Sequence, residues 1–577
     1  MGTNTMNRNK ALAVLFAVLF CTALIGIFIT ASGIRAPADA SFAFFLGQDT
    51  AGGADAADET APDLIRFFAV QDSEEYGLVL PESWDASHLR IYFSGAGIVR
   101  IGFRFYRSGD PISLKQDEPF TVKLWGGKAI RVTMRKTGGL PVLFVRTDSG
   151  SSDAIHTSKA YQELGMLILT DPGGTVLYHE RLSAVRTRGN ATFAYAKKPY
   201  QIRLEKPAAL IGEKKDKTWI LLANALDRSQ IRNTLAFDLS RFSGAFSYTP
   251  QAQPVDLYMN AEYCGTYLLT EKIEMGENRV AVRDLEKAIK DINPDLDFDA
   301  LEPLGDLESA PGAYKYRSLP AVPGDKTGGY ILQMNKTERY STEACGFVTD
   351  RGYTVTLQEP KYVNKAQIRY LASLVQCVED ALFSEGGVDP GSGRRYSDLL
   401  DFPSFVNRYM IAEVLNDYDG QYCYFYKDSD TVNPKVYAGP VWDQDNILGV
   451  WGPEIDPAAV HIRQEPGQAC TWFEQALQQD DFRAAAKEAY RDTYRPAMEI
   501  LLGREKDPSG VLRSVDEYAS EVRESAQADF FRWKNPMVPN DKFYNASIGS
   551  TFEEQIDYLK YYLAAHQEAL DAFFGQL

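Results

Sequence analysis

Apolar positions first alternate with polar ones at period two along this chain, and later recur every three to four residues. Between residues 63 and 138, "HLRIYF", "IVRIGFRFY", "FTVKLW" and "AIRVTMRK" set apolar side chains on alternate positions between Gly, Asp and Pro turns, which predicts a small antiparallel β module. From 139 the strands continue: "GLPVLFVRT", "LGMLILTD", "TVLYHERLSAVRTRG" and "PYQIRLEK". "KTWILLANALDRSQIRNTLAFDLSRFSG" moves from a buried strand into a helix with Asp227 or Ser229 as its cap and Leu235, Leu239 and Phe242 at helical spacing. "PVDLYMNAEYCGTYLLTEKIE" reads as a hairpin turning at Asn260, Ala261 and Glu262. Residues 286–328 are acidic and rich in Pro and Gly, the pattern of an insertion or long loop, before "GGYILQMN" and "YTVTLQEP" return to strand.

After residue 364 the period changes. "NKAQIRYLASLVQCVEDALFS", "DFPSFVNRYMIAEVLNDY" and the segments 471–502 and 551–575 are amphipathic helices, interrupted by the apolar hairpin "YCYFYKDSDTVNPKVYAGPVWDQDNILG". A strand-rich half followed by a helix-rich half predicts an α+β body at 139–577, with a cleft between two lobes.

The amino terminus is of another kind. "MNRNK" is followed by about two dozen uncharged residues, enough for a membrane span of ~20 residues. The basic flank directs everything after it to the far side of the membrane. Residues 1–35 therefore read as a signal anchor, or as a signal peptide cut near "APADA". The Ala-, Gly- and Asp-rich stretch 36–62 reads as a flexible spacer.

Composition narrows the chemistry. The chain has 577 residues, of which 45% are hydrophobic and 24% charged, and a net charge of -17, which opposes a general nucleic-acid role. Cys21, Cys264, Cys345, Cys377, Cys423 and Cys470 are far apart with no CxxC, and the five histidines (88, 156, 179, 461 and 566) lack ligand spacing. Zinc is disfavoured, one or two disulfides remain open, and any metal is a hard cation held by oxygen.

Three segments carry candidate chemistry. In "GPVWDQDNILG", Asp443 and Asp445 end an apolar strand two residues apart, so both carboxylates fall on one face and suit Mg²⁺ or Ca²⁺; a carboxylate pair that stabilises a turn is the alternative. In "LNDYDG", Asp417 and Asp419 close a helix one hairpin earlier. In "RTRGNATFAYAKKPYQIRLEK", Arg188 and Lys198 offer cationic donors and Gly189 lets the backbone approach an anion, although a hairpin turn with solvated lysines has the same letters. Metal-holding carboxylates, a further carboxylate for the attacking hydroxyl and fixed positive charge are what phosphoryl transfer needs.

The ordered set "RGNATFAYAKKPYQIRLEK", "LIGEKKDKTWILLANALDRSQIRNTLAFDLS", "YTPQAQPVDLYMNAEYCGTYLLTEKIEMGENRV", "GGYILQMN", "YKD...GPVWDQDNILG" and "TFEEQIDYLKYYLAAHQEALDAFF" resembles the spore coat protein H family, the CotH kinases, over roughly residues 140–577. The resemblance implies an atypical kinase-like two-lobed fold, with a strand-rich N-lobe and a helix-rich C-lobe. It implies that ATP and Mg²⁺ are bound and that Ser or Thr of exported proteins, spore-coat proteins among them, are phosphorylated. Carried over by motif, Arg188, Gly189, Asn190 and Lys198 fall to the nucleotide phosphates, and Glu271 in "LLTEK" orients a lysine or metal. Asp443 is the metal aspartate, with Asp445 a second ligand. The catalytic aspartate is Asp419 when counted forward from Glu413 and Asp417 when counted back from "YFYKD". Arg232 and Asn233 of "IRN" match too, as does a plain brace between helix and strand. Phe193 stands where the family often has Trp, and Gln333 and Gln358 where it commonly has Glu or Lys.

The expectation is an exported Ser/Thr kinase, membrane-anchored with its body outside, or secreted or in the spore coat if the signal is cut. Its partner is a Ser/Thr-rich protein. A non-catalytic scaffold on the same fold is the alternative. A carbohydrate hydrolase with paired carboxylates leaves the RGN and lysine cluster unexplained.

Overall fold

The computed structural model describes residues 44–48, 64–93, 98–124, 129–417, 419–450, 456–460, 471–537 and 544–577. The amino-terminal apolar run lies outside them, and among the described residues no helix is long and apolar enough to cross a membrane. Part of the expected spacer is ordered: Phe44–Gln48 is a strand paired with Leu64–Arg66 and Leu89–Phe93. Its apolar letters explain this, since Leu46 is fully buried.

The chain divides into two compact units, one of residues up to Leu78 with Asp85–Met134, the other of Val79–Trp84 with Arg135–Leu577. In the first, Leu89, Ile91 and Phe93 are buried while Arg90 and Tyr92 are half-exposed, the period of two made visible. A second sheet in this unit pairs Val99–Ile101 with both Arg104–Tyr106 and Phe120–Leu124, and the last of these with Ala129–Lys136.

The larger unit is mixed α+β. Seven strands form a closed sheet in the order Asp216–Leu222, Tyr200–Ala208, Val176–Thr187, Glu163–Thr170, Val142–Thr147, Ala252–Met259 and Glu262–Glu271, the last pairing back onto the first. All neighbours are antiparallel except Val142–Thr147 with Ala252–Met259. Closure leaves no sheet edge and gathers the inward residues, Leu143, Leu167, Ile202, Trp219, Leu257 and Leu269 among them, into one core. The hairpin at the end turns on two residues, Asn260 and Ala261, both at positive φ (51° and 68°), and Glu262 already belongs to the strand.

A second sheet runs Pro303–Gly305, Tyr314–Arg317, Gly346–Val348, Thr354–Glu359, Tyr330–Asn335, Tyr424–Lys427, Val436–Ala438. The long-loop reading of 286–328 is therefore corrected. That stretch adds edge strands and continues the helix Leu285–Ile292, which Asp284 caps. The hairpin 424–438, from the helical half, joins the same sheet, so strands and helices are not sorted by half. Leu332, Val355, Leu357 and Phe425 of this sheet share a core with Leu371 and Val375 of Lys365–Leu382 and Phe405 and Tyr409 of Phe402–Val414. Cys264, Cys345, Cys377 and Cys423 are free thiols, so no disulfide forms among the described residues.

The helix Val515–Arg532 clasps the closed sheet through buried charge. Asp529 meets Lys197 Nζ at 2.5 Å and accepts the Thr266 amide, and Lys197 also donates to Thr266 O at 2.6 Å. Beside them Asp256 accepts from Ser525, Tyr263 and Thr266 hydroxyls. Burial dominates and pushes its carboxyl up to about 7, against 3.8 in water. The folded state thus holds this proton where the unfolded chain has lost it, so the contribution is full below pH ~4 and lost as pH rises to about 7. Asp256→Asn should therefore gain stability relative to wild type between pH 5 and 8 in chemical denaturation. A pH-independent difference contradicts the assignment.

Candidate functional site

The turn after Val176–Thr187 is built around its glycine. Thr187 pairs with Tyr200 and the Arg188 amide donates to Pro199 O at 3.1 Å, so the strands stay joined while residues 188–199 bulge out through a short helical turn at Ala191–Ala194. Gly189 has φ 92°, and a Cβ there would lie 2.1 Å from Thr192 Oγ1. Only glycine fits without strain. Arg188 projects toward the other sheet, its guanidinium 5.7 Å from the Trp442 ring centroid, and Asp443 and Asp445 are the carboxylates that act on it.

The lysines do something else. Lys198 Nζ donates to Phe193 O at 2.8 Å and Tyr195 O at 2.7 Å, clamping the loop from within. Lys197 is spent on Asp529. Where the sequence sets Lys198 against nucleotide phosphates, the structure turns its ammonium into its own loop. Asn190 is exposed, with Oδ1 3.4 Å from Lys159 Nζ. Glu271, expected to orient a lysine or metal, also has internal partners. Fully buried, it pairs with Arg279 Nη1 at 2.8 Å and accepts from Tyr248 Oη and the Gln251 amide, both at 3.1 Å, a brace inside the closed sheet.

The four aspartates do gather. Asp417 lies just after the helix Phe402–Val414; it is buried, receives Gln444 Nε2 at 2.9 Å and the Asp419 amide at 3.0 Å, and has Arg408 at 3.6 Å. A Cβ at Gly420 would come 2.8 Å from that of Ala412, which fixes the tight Asp-Gly step. Asp419 is half-exposed, 3.2 Å from Lys336 Nζ, and accepts from Asn446 Nδ2 at 3.3 Å. Asp443 has φ 62°. Asn224, Gln230, Asn416 and Leu448 on neighbouring loops also have positive φ, a concentration of strained backbone that the surroundings must hold in place.

That hold comes from "IRN". Asn233 Oδ1 accepts the Gln444 amide at 2.9 Å, while its amide group bonds Asn224. Arg232 reaches Ile447 O at 3.0 Å and makes a fully buried 2.7 Å pair with Asp227, which also accepts the first helical amide at 2.8 Å. Asp227 therefore serves the helix Arg232–Ser243 as its upstream cap, and Arg232 and Asn233 are the brace.

Electrostatics define the shape. Asp443 is exposed and Arg188, Asp419 and Asp445 are half-buried, yet burial is the largest influence on all four. All four are thus reached by water yet closely surrounded by protein. Burial raises Asp443 while Arg188, Arg339 and Lys336 oppose it. Asp419 is pushed up to about 6 by burial, with Lys336 opposing. Asp445 is raised furthest, and its strongest charged neighbours are Asp443, Asp227 and Asp419, all acids. Two adjacent carboxylates with this deficit of positive charge fit a divalent cation. Buried Asn446 Oδ1 and Gln444 Oε1, which have no hydrogen-bond partner in the structure, add oxygen donors nearby. Among the described residues no three His, Cys, Asp or Glu side chains form a ready cage. The donor set suits Mg²⁺, which takes one or two carboxylates and fills its shell with water and phosphate.

The sequence profile of the family described as CotH kinase protein matches residues 185–570, from the strand entering the RGN turn to the last helix. The chain belongs to the CotH family. No curated protein matches it. Within this CotH chain the matched span contains Arg188, Lys198, Glu271, Asp417, Asp419, Asp443 and Asp445, and Val142–Thr147 and Glu163–Thr170 of the closed sheet precede it.

Sequence reasoning missed Lys336 and Arg339. They sit in "NKTERY", just beyond the strand "GGYILQMN", Lys336 on a loop and Arg339 at the start of the short helix Arg339–Thr342, where a lone cation carries no periodic signal. Their position becomes visible only when Tyr330–Asn335 pairs with Tyr424–Lys427 and brings that loop to Asp419. Gly189→Ala is expected to lower stability by roughly 1–3 kcal/mol and to speed amide exchange across 188–199. Wild-type melting and exchange would show that the turn tolerates a side chain.

Proposed function

We propose that this protein is a phosphotransferase that moves the γ-phosphoryl group of ATP, bound with Mg²⁺, to Ser or Thr side chains of exported surface or spore-coat proteins. The observation that carries the reading is the mutual electrostatic action of Arg188, from the RGN turn, and Asp443, from the loop after the strand Val436–Ala438. Phosphoryl transfer relies on positioned charge more than on covalent chemistry, and this pair supplies both signs. Family membership supports the reaction class.

Asp443 and Asp445 would hold Mg²⁺, which when bound neutralises charge on the phosphate oxygens. Arg188 offers a rigid fork of N–H donors to the phosphates. Lys336 and Arg339, acting on the same carboxylates, place further positive charge beside the transferring group. Asp419 accepts the proton of the attacking hydroxyl; its carboxyl, raised to about 6, is ionised at neutral pH yet basic enough to take a proton. Asp417 is buried and bonds the Asp419 amide, so it positions Asp419 and leaves the substrate to it. The same reading makes the protein kinase-like with two lobes around the cleft. It places the body outside the membrane, tethered by the amino-terminal apolar run or released if that run is cut.

Purified full chain incubated with labelled ATP, Mg²⁺ and a Ser-rich acceptor should transfer label. Asp443→Ala and Arg188→Met should each lower transfer roughly a hundredfold or more with little change in melting temperature. Undiminished labelling by Asp443→Ala overturns the assignment. Absence of Mg²⁺-dependent nucleotide binding in calorimetry leaves a scaffold.

A further inference from the structure

The smaller unit carries a surface that the proposed reaction does not use. Val99–Ile101 and Arg104–Tyr106 form a hairpin in which Ile101 faces Arg104, leaving a two-residue turn of Gly102 and Phe103. Gly102 has φ 60° and open space around it, so the turn is held by backbone preference and not by packing. Phe103 at the tip is 102% exposed and Phe105 57%. An aromatic ring fully in water at a hairpin tip buries nothing in the fold, and its hydrophobic free energy is available only to something outside it.

Register places cations around it. Arg100 stands opposite both Phe105 and Lys123, and Arg131 follows on the same face, two residues along from the partner of Lys123. Arg104 flanks the tip and Arg107 follows the hairpin. Arg100, Arg104, Lys123 and Arg131 are all exposed, and of these Arg131 pairs with Glu75 at 3.1 Å. A basic and aromatic tip on a chain of net charge -17 is a local reversal of sign, matched to an anionic surface. The amino-terminal apolar run sets the distance: about ten residues separate Ile34 from the first strand at Phe44, a reach of at most ~35 Å.

We propose that this hairpin docks on an anionic lipid bilayer, with Phe103 entering the interface and Arg100, Arg104 and Lys123 against lipid phosphates. Aromatic side chains favour the bilayer interface, and each arginine near an anionic surface adds attraction. Resting on the proposed reading of the amino-terminal apolar run as an anchor, the hairpin is a second membrane contact that orients the smaller unit on the same surface.

The test is hydrogen exchange on the full chain reconstituted in lipid nanodiscs, because the apolar run inserts into neutral and anionic discs alike and only the hairpin should tell them apart. Amides of residues 98–107 are expected to exchange at least fivefold more slowly in discs containing phosphatidylglycerol than in pure phosphatidylcholine, roughly the effect of one cation at the surface. Phe103→Ser, and separately Arg100→Glu with Arg104→Glu, should abolish that difference while leaving exchange elsewhere unchanged. Equal exchange in both discs overturns the proposal. So does protection that appears in detergent on adding soluble polyphosphate but not in anionic discs, or protection that depends on protein concentration alone.

Discussion

A carboxylate removed from water needs a positive partner, and this fold brings Asp227, Asp417, Asp419, Asp443 and Asp445 within electrostatic reach of one another. The rest of the arrangement answers that demand. Arg232 neutralises Asp227, Arg408 approaches Asp417, Lys336 meets Asp419, and Arg188 acts on Asp443. Each cation arrives from a different element, so the balance exists only when the closed sheet, the second sheet and the helices are assembled. Asp445, left with acids as its strongest neighbours, is where the balance fails and where a divalent ion is best accommodated.

Rigidity of the supports makes such a charge distribution tenable. The closed sheet fixes the RGN turn through the pairing of Thr187 with Tyr200, and Lys198 locks the loop from inside. On the opposite side Asn233 and Arg232 tie the backbone of residues 444–448 to the start of a buried helix. Without those bonds, the positive φ of Asp443 and Leu448 would relax toward ordinary conformations and the carboxylates would move apart.

Much of this was legible in the letters. Alternation in "PYQIRLEK" gave a strand with Tyr200, Ile202 and Leu204 inward, and the helical spacing of Leu235 and Leu239 gave a buried helix. The acidic motifs and Arg188 stood out because paired acids after an apolar run, and an arginine before a turn glycine, are unusual in themselves, but the strand reading of "GPVWDQD" failed, since the strand stops at Ala438 and Asp443 sits at φ 62°. Lys198 and Glu271 were less legible for one reason. A charged letter does not reveal whether its partner is a ligand or the protein's own backbone and side chains, and both proved to be internal. Lys336 and Arg339 were invisible because their relevance depends on the pairing of strands nearly a hundred residues apart in sequence. The segment 286–328 misled through composition, since its Pro and Gly content hid short edge strands held by a sheet that local pattern does not encode.

The facing of Arg188 and the aspartate pair is tested most directly by a crystal structure of the protein with Mn²⁺ and a non-hydrolysable ATP analogue. The account predicts an anomalous peak held by Asp443 and Asp445, with the triphosphate between that ion and the Arg188 guanidinium. Nucleotide and metal bound elsewhere, with Arg188 and Asp443 in contact only with each other, would contradict it.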